Sequence, residues 1–86
     1  MTEPYRCLIV DDEPLAIQLI ESHIDKIDGY VVADKTHSPI EALSLLKDNS
    51  YDLIFLDIQM PVLTGIELLR TMRNPPAVIF TTAYRD

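Results

Sequence analysis

Only one cysteine is available to this chain, Cys7, which excludes an internal disulfide and leaves too few thiolates for a structural zinc site. It lies inside an apolar run and reads as a small core residue, and cysteine usage this sparse suits a reducing cytoplasm. Cations are scarce as well: seven Lys and Arg against 14 Asp and Glu leave a net charge of -7. That balance repels phosphate backbones and argues against direct nucleic-acid binding by this segment. No apolar run approaches the ~20 residues of a membrane span. The opening residues, Met1-Thr2-Glu3-Pro4-Tyr5-Arg6, have no basic stretch leading into an apolar one, so neither a span nor a signal peptide is expected. Internal repeats, linkers and low-complexity tracts are missing too.

What is present fits one small globular domain. The chain has 86 residues, 48% of them hydrophobic and 24% charged. A chain of this size buries only about 60% of the surface its unfolded form exposes, so its margin of stability is thin. The acidic surplus, where some of it converges, would suit a hard divalent cation.

Taken in order, Cys7-Leu8-Ile9-Val10 reads as a buried strand ending in Asp11-Asp12-Glu13-Pro14, with Pro14 at the first position of a helix. Ile17, Ile20, Ile24 and Ile27 fall on one stripe of that helix, and Asp28-Gly29 is expected to stop it. Tyr30-Val31-Val32-Ala33 is a second strand, with Asp34-Lys35-Thr36-His37 as a loop. Ser38, Pro39 and Glu41 carry a capping-box signature for a second helix whose inward stripe is Ala42, Leu43 and Leu46. Leu53 to Leu56 is a strand apolar on both faces, ending at Asp57. A third helix begins at Thr64-Gly65 with Ile66, Leu69 and Met72 inward, and Ala77-Val78-Ile79-Phe80 is a fourth strand. Such alternation predicts a doubly wound parallel sheet with helices on both faces and right-handed crossovers.

Open sheets of this kind bind ligands beyond the carboxyl ends of their strands. Asp11 and Asp12, Asp57, and Thr81 with Thr82 all fall at that edge. On its own, Asp57 reads either as a reactive carboxylate or as a turn residue before Pro61, and Asp11, Asp12 and Glu13 read either as ligands or as helix caps. Taken together they point to chemistry. If the first and third strands are neighbours, their ends lie about 5 Å apart, and carboxylates that close need a cation or a raised pKa. Magnesium suits an oxygen donor set that leaves room for a phosphate oxygen, and an aspartate beside it can take a phosphoryl group as nucleophile. Thr82 would then bond a phosphoryl oxygen and move with it.

The runs Leu8-Ile9-Val10-Asp11-Asp12-Glu13-Pro14, Leu56-Asp57-Ile58-Gln59-Met60-Pro61 with Gly65 beyond, and Thr82-Ala83 resemble the receiver domain of bacterial response regulators. The run from Ile79 to Asp86 looks most like the LytTR-type subgroup, whose receivers precede a DNA-binding domain. The resemblance implies a flavodoxin-like sheet with strand order 2-1-3-4, continued in the family by a fifth strand. It implies that Asp57 is the phosphoacceptor of a histidine kinase in a two-component system and Thr82 the switch hydroxyl. Magnesium would be held by Asp12, Asp57 and the main-chain carbonyl of Gln59, with Asp11 holding a coordinated water. It also implies a module that is not itself an enzyme and that controls transcription through an output domain.

One departure from the family pattern stands out. The lysine and switch aromatic of the fifth strand, and the last two helices, would fall after Asp86, so residues 1–86 read as an incomplete receiver. Neither Lys35 nor Lys47 is placed to replace that lysine, and the fourth strand becomes an apolar edge through which the chain is expected to self-associate. Two other functions compete. A phosphatase of the haloacid dehalogenase type needs a second aspartate two residues after the first, where this chain has Gln59. A degenerate receiver, never phosphorylated, would act only as a protein-interaction module.

Overall fold

A computed structural model describes residues 3–58 and 65–81 of the chain. Strand β1 (Tyr5–Val10) is its spine, with every side chain from Cys7 to Val10 fully buried. It pairs in parallel with β2 (Tyr30–Thr36) on one side and β3 (Leu53–Leu56) on the other. Strand β4 (Ala77–Phe80) pairs with β3, giving the order β2-β1-β3-β4 that the resemblance implied.

Because alternate residues of a strand face opposite sides, a strand apolar throughout must build two cores. That is what is seen. Cys7 and Ile9 pack with Ile17 and Ile24 of helix α1 (Pro14–Ile24), with Leu53 and Phe55 half-buried against them. Leu8 and Val10 pack on the other face with Ile54, Leu56, Ala42 of α2 (Pro39–Asp48) and Leu68 of α3 (Gly65–Arg70). Truncating a fully buried leucine such as Leu8 to alanine costs about 2–5 kcal/mol in comparable cores.

Several boundaries differ from the sequence expectation. Helix α1 ends at Ile24, so Ile27 lies beyond it and is 52% exposed. The chain leaves the helix through tight three-residue turns, Lys26 N–H donating to His23 O and Ile27 N–H to Ile24 O. Gly29, at φ +91°, therefore does not stop the helix. It makes the left-handed turn into β2, where Tyr5 N–H donates to its carbonyl at 2.7 Å.

Strand β2 runs on to Thr36, through residues that read as a loop. Their polarity is matched by partners: Lys35 pairs with Glu21 at 2.7 Å, and Asp34 accepts the Tyr51 hydroxyl. A bulge lies between them and the start of the strand, since Cys7 faces Val32 but Leu8 faces Asp34, leaving Ala33 as the extra residue. In α3 Leu68 is buried and Ile66 is exposed, while Met72 lies past the helix end and is half-buried.

The capping box at α2 is half as expected. Ser38 Oγ accepts the Glu41 N–H at 3.2 Å, but the Ser38 N–H donates to Thr36 Oγ1 at 3.0 Å, a threonine doing what the glutamate was expected to do.

Candidate functional site

Three backbone bonds carry the sheet one residue past its strand ends. Asp11 N–H donates to Thr36 O at 3.2 Å, Asp57 N–H to Val10 O at 3.0 Å, and Thr81 N–H to Leu56 O at 3.0 Å. Asp11, Asp57 and Thr81 are thereby fixed side by side along the carboxyl edge, on a rigid support set by parallel pairing.

Asp11 is 3% exposed and Asp57 7% exposed, while Asp12 opens to water. Each contributes a carboxylate oxygen to a cluster whose members all lie within 4.8 Å of one another. Asp11 is held at both oxygens: Oδ1 accepts the Glu13 N–H at 2.9 Å, and Oδ2 accepts the Thr81 hydroxyl at 3.5 Å. The helix-cap alternative for these acids does not describe what they do, because the cap residue of α1 is Glu13 and its side chain makes no capping bond.

Burial and the neighbouring charges act together on Asp11 and Asp12. Burial pushes the Asp11 carboxyl up; the Glu13 N–H opposes this, the charges of Asp57 and Asp12 add to it, and the Thr81 hydroxyl lowers it slightly. Asp12 is also pushed up, first by loss of hydration, then by a hydrogen bond shared with Asp57 and by the charge of Asp57. A carboxyl–carboxylate hydrogen bond needs a proton between the two groups. A hard divalent cation in place of that proton would satisfy all three acids, and the donor set, oxygen only, is of the kind magnesium takes.

Of the residues singled out in the sequence, Asp11, Asp12 and Asp57 are brought together, whereas Gln59 and Thr82 lie outside the described residues. His23 and His37 are exposed, on α1 and in the loop after β2. Lys35 is engaged with Glu21, and Lys47 lines a groove with Asn49, Ser50 and Tyr51 at the amino edge of the sheet. Neither lysine reaches the acids. Thr81 was visible in the sequence only as one of two hydroxyls after the fourth strand. Its bond to Asp11 depends on how the ends of three strands are spaced, which no local pattern encodes.

Comparison with known proteins bears on this geometry. The family described as the response regulator receiver domain matches residues 7–86. A sensory transduction protein, LytR, of Staphylococcus haemolyticus is 40% identical over 82 residues, covering 92% of this chain and 32% of the relative. A positive alginate biosynthesis regulatory protein of Pseudomonas aeruginosa is 42% identical over 83 residues, covering 92% of this chain and 34% of its own length. The chain thus spans about a third of the curated relatives it matches. Among solved structures, the response regulator domain of Thermotoga maritima CheB superposes with a TM-score of 0.81 at 31% identity, covering 91% of this chain and 60% of that one.

Proposed function

The chain belongs to the response regulator receiver domain family, and on that premise we propose that it accepts a phosphoryl group from a histidine kinase onto Asp57. The observation that carries this reading is the convergence of Asp11, Asp12 and Asp57 within 4.8 Å at the carboxyl edge of the neighbouring strands β1 and β3. In the transfer, a carboxylate oxygen of Asp57 forms a bond to phosphorus as the bond from phosphorus to the kinase imidazole nitrogen breaks. The imidazole leaves as the neutral base once it is protonated, and Asp57 becomes an acyl phosphate. Asp57 is suited to the role by its place just past a strand end whose main chain is fixed by pairing, with fully buried Leu56 behind it.

Magnesium would be held by Asp12 and Asp57, with Asp11 through a coordinated water and with the carbonyl of Gln59 as the remaining protein donor. Bound there, it would neutralise charge that builds up on the phosphoryl oxygens. Asp11 and Asp12 otherwise repel an anion, so the chain's own acids make phosphorylation depend on the cation. Thr82 would bond the phosphoryl oxygen and draw the end of β4 toward the site, biasing the conformation that an output domain reads. The module would act in the cytoplasm, upstream of transcription, as the substrate of a kinase rather than as an enzyme in its own right.

Incubation with a small-molecule phosphodonor, followed by intact mass, tests the proposal. One phosphoryl adduct that requires magnesium and disappears in Asp57→Asn is the expected result. No adduct on this chain or on a version extended through the fifth strand of the family would overturn it and leave a protein-interaction module.

A further inference from the structure

We infer that Thr81 is a positioning residue for the metal site, holding the Asp11 carboxylate in place from the end of β4; this rests on the reading of the acid cluster as a magnesium site. Asp11 is nearly fully buried, so its orientation is set by the protein rather than by water. The Glu13 N–H fixes Oδ1, and that bond alone leaves the carboxylate free to rock about it. The Thr81 hydroxyl, 3.5 Å from Oδ2, adds a second and longer restraint on the other oxygen. A carboxylate oxygen of Asp11 lies within 4.8 Å of one from Asp12 and one from Asp57.

Thr81 is itself anchored, its N–H bonded to Leu56 O, one residue before Asp57. The end of β4 is therefore tied to two strands at once, by main chain to β3 and by side chain to the acid that follows β1. Partners of metal ligands are worth about 10–100-fold in affinity where they bond directly to a first ligand. A long neutral hydroxyl bond to an acid acting through water belongs below that range, about three- to tenfold. By reciprocity, whatever Thr81 gives to metal affinity, the metal returns as order at the end of β4.

The test is calorimetric titration of the 86-residue chain with magnesium chloride, comparing wild type, Thr81→Val and Thr81→Ser, with thermal unfolding of each metal-free form. Valine keeps the shape and loses the hydroxyl; serine keeps the hydroxyl and loses the methyl. The expected result is binding three- to tenfold weaker in Thr81→Val, recovered to within twofold in Thr81→Ser, with metal-free unfolding temperatures alike. Equal affinity in wild type and Thr81→Val would overturn the role of Thr81 while leaving the metal site intact, as would weakening in both variants. Wild type that takes up no magnesium would overturn the site and the inference together. Should Thr81→Val not fold, Thr81→Ala carries the same comparison. As a second readout, amide exchange at Thr81 should slow on adding magnesium in wild type and not in the hydroxyl-free variant.

Discussion

Tyr51 and Asp34 meet across β1, the phenol hydroxyl donating to Asp34 Oδ2 at 2.5 Å although the two residues belong to segments on opposite sides of that strand. Arg6 of β1 lies beneath, its guanidinium 5.7 Å from the centre of the Tyr51 ring and its Nε donating to Ser50 O. Burial, with the bond to Asp34 and that residue's charge, holds the phenol well above the usual tyrosine range. A phenol raised in this way stays protonated in the folded chain after the unfolded chain has lost its proton. Stability is therefore complete below about pH 10 and falls as pH rises past it. Absorbance titration at 295 nm should show one of the four tyrosines resisting ionisation until the chain unfolds. Tyr51→Phe should remove that late step and cost about 1 kcal/mol, measured in urea.

Metal-free stability should also depend on pH at the acidic end. Asp11 and Asp12 keep their protons to higher pH in the folded chain than the ~3.9 at which an unfolded aspartate titrates. The folded state thus binds more protons above that point, and these two groups make stability fall as pH rises through the window between the two values. Asp12→Asn should flatten that dependence and raise the metal-free unfolding temperature at neutral pH. The gain should be 1 kcal/mol or less, about the worth of a water-exposed charge pair. Magnesium should stabilise the wild type more at pH 7.5 than at pH 5, and should do little for the variant.

At the start of α2, Ser38→Ala should cost about 1 kcal/mol, the usual worth of a helix cap. Thr36→Val should cost a comparable amount, because it leaves the half-buried Ser38 N–H without its partner. Glu41→Ala should be nearly neutral, since the Ser38 N–H is already taken. Denaturant midpoints of the three variants check this ordering, and a larger loss for Glu41→Ala than for Thr36→Val would contradict it.

Among the described residues, the outer edge of β4 has no partner strand, and Ile79 and Phe80 there are 46% and 45% exposed. An apolar, unpaired edge is a template for another chain. The 86-residue chain should show a mass rising with concentration in light scattering, and Phe80→Lys should suppress the rise. A monomer at every concentration would count against association by this edge.

The sheet order was legible because three motifs of the resembled family stand in the right sequence, and the strands because β1 and β3 are apolar on both faces. Asp12 and Asp57 were legible for the same reason, as charges placed where an apolar run stops. What the sequence concealed was settled by tertiary partners. Asp34 and Lys35 look like loop residues until Tyr51 and Glu21 supply their bonds. Ile27 continues a helical stripe arithmetically, yet the turns after Ile24 have already ended the helix. Ile66 and Leu68 are both apolar, and only the position of α3 over Ile54 and Leu56 decides that Leu68 is buried.

The extra residue at Ala33 lets one strand keep two separate alignments. Tyr30 to Val32 follow Tyr5 to Cys7, while Asp34 to Thr36 follow Leu8 to Val10 as an independent set. The two halves of β2 therefore hold their registers separately, and a change in length at the tyrosine-lined end can be taken up at Ala33. The Thr36 carbonyl that holds Asp11 need not shift in step. A sheet with such an expansion joint can remodel one rim freely while the other, which carries the acids, stays in register.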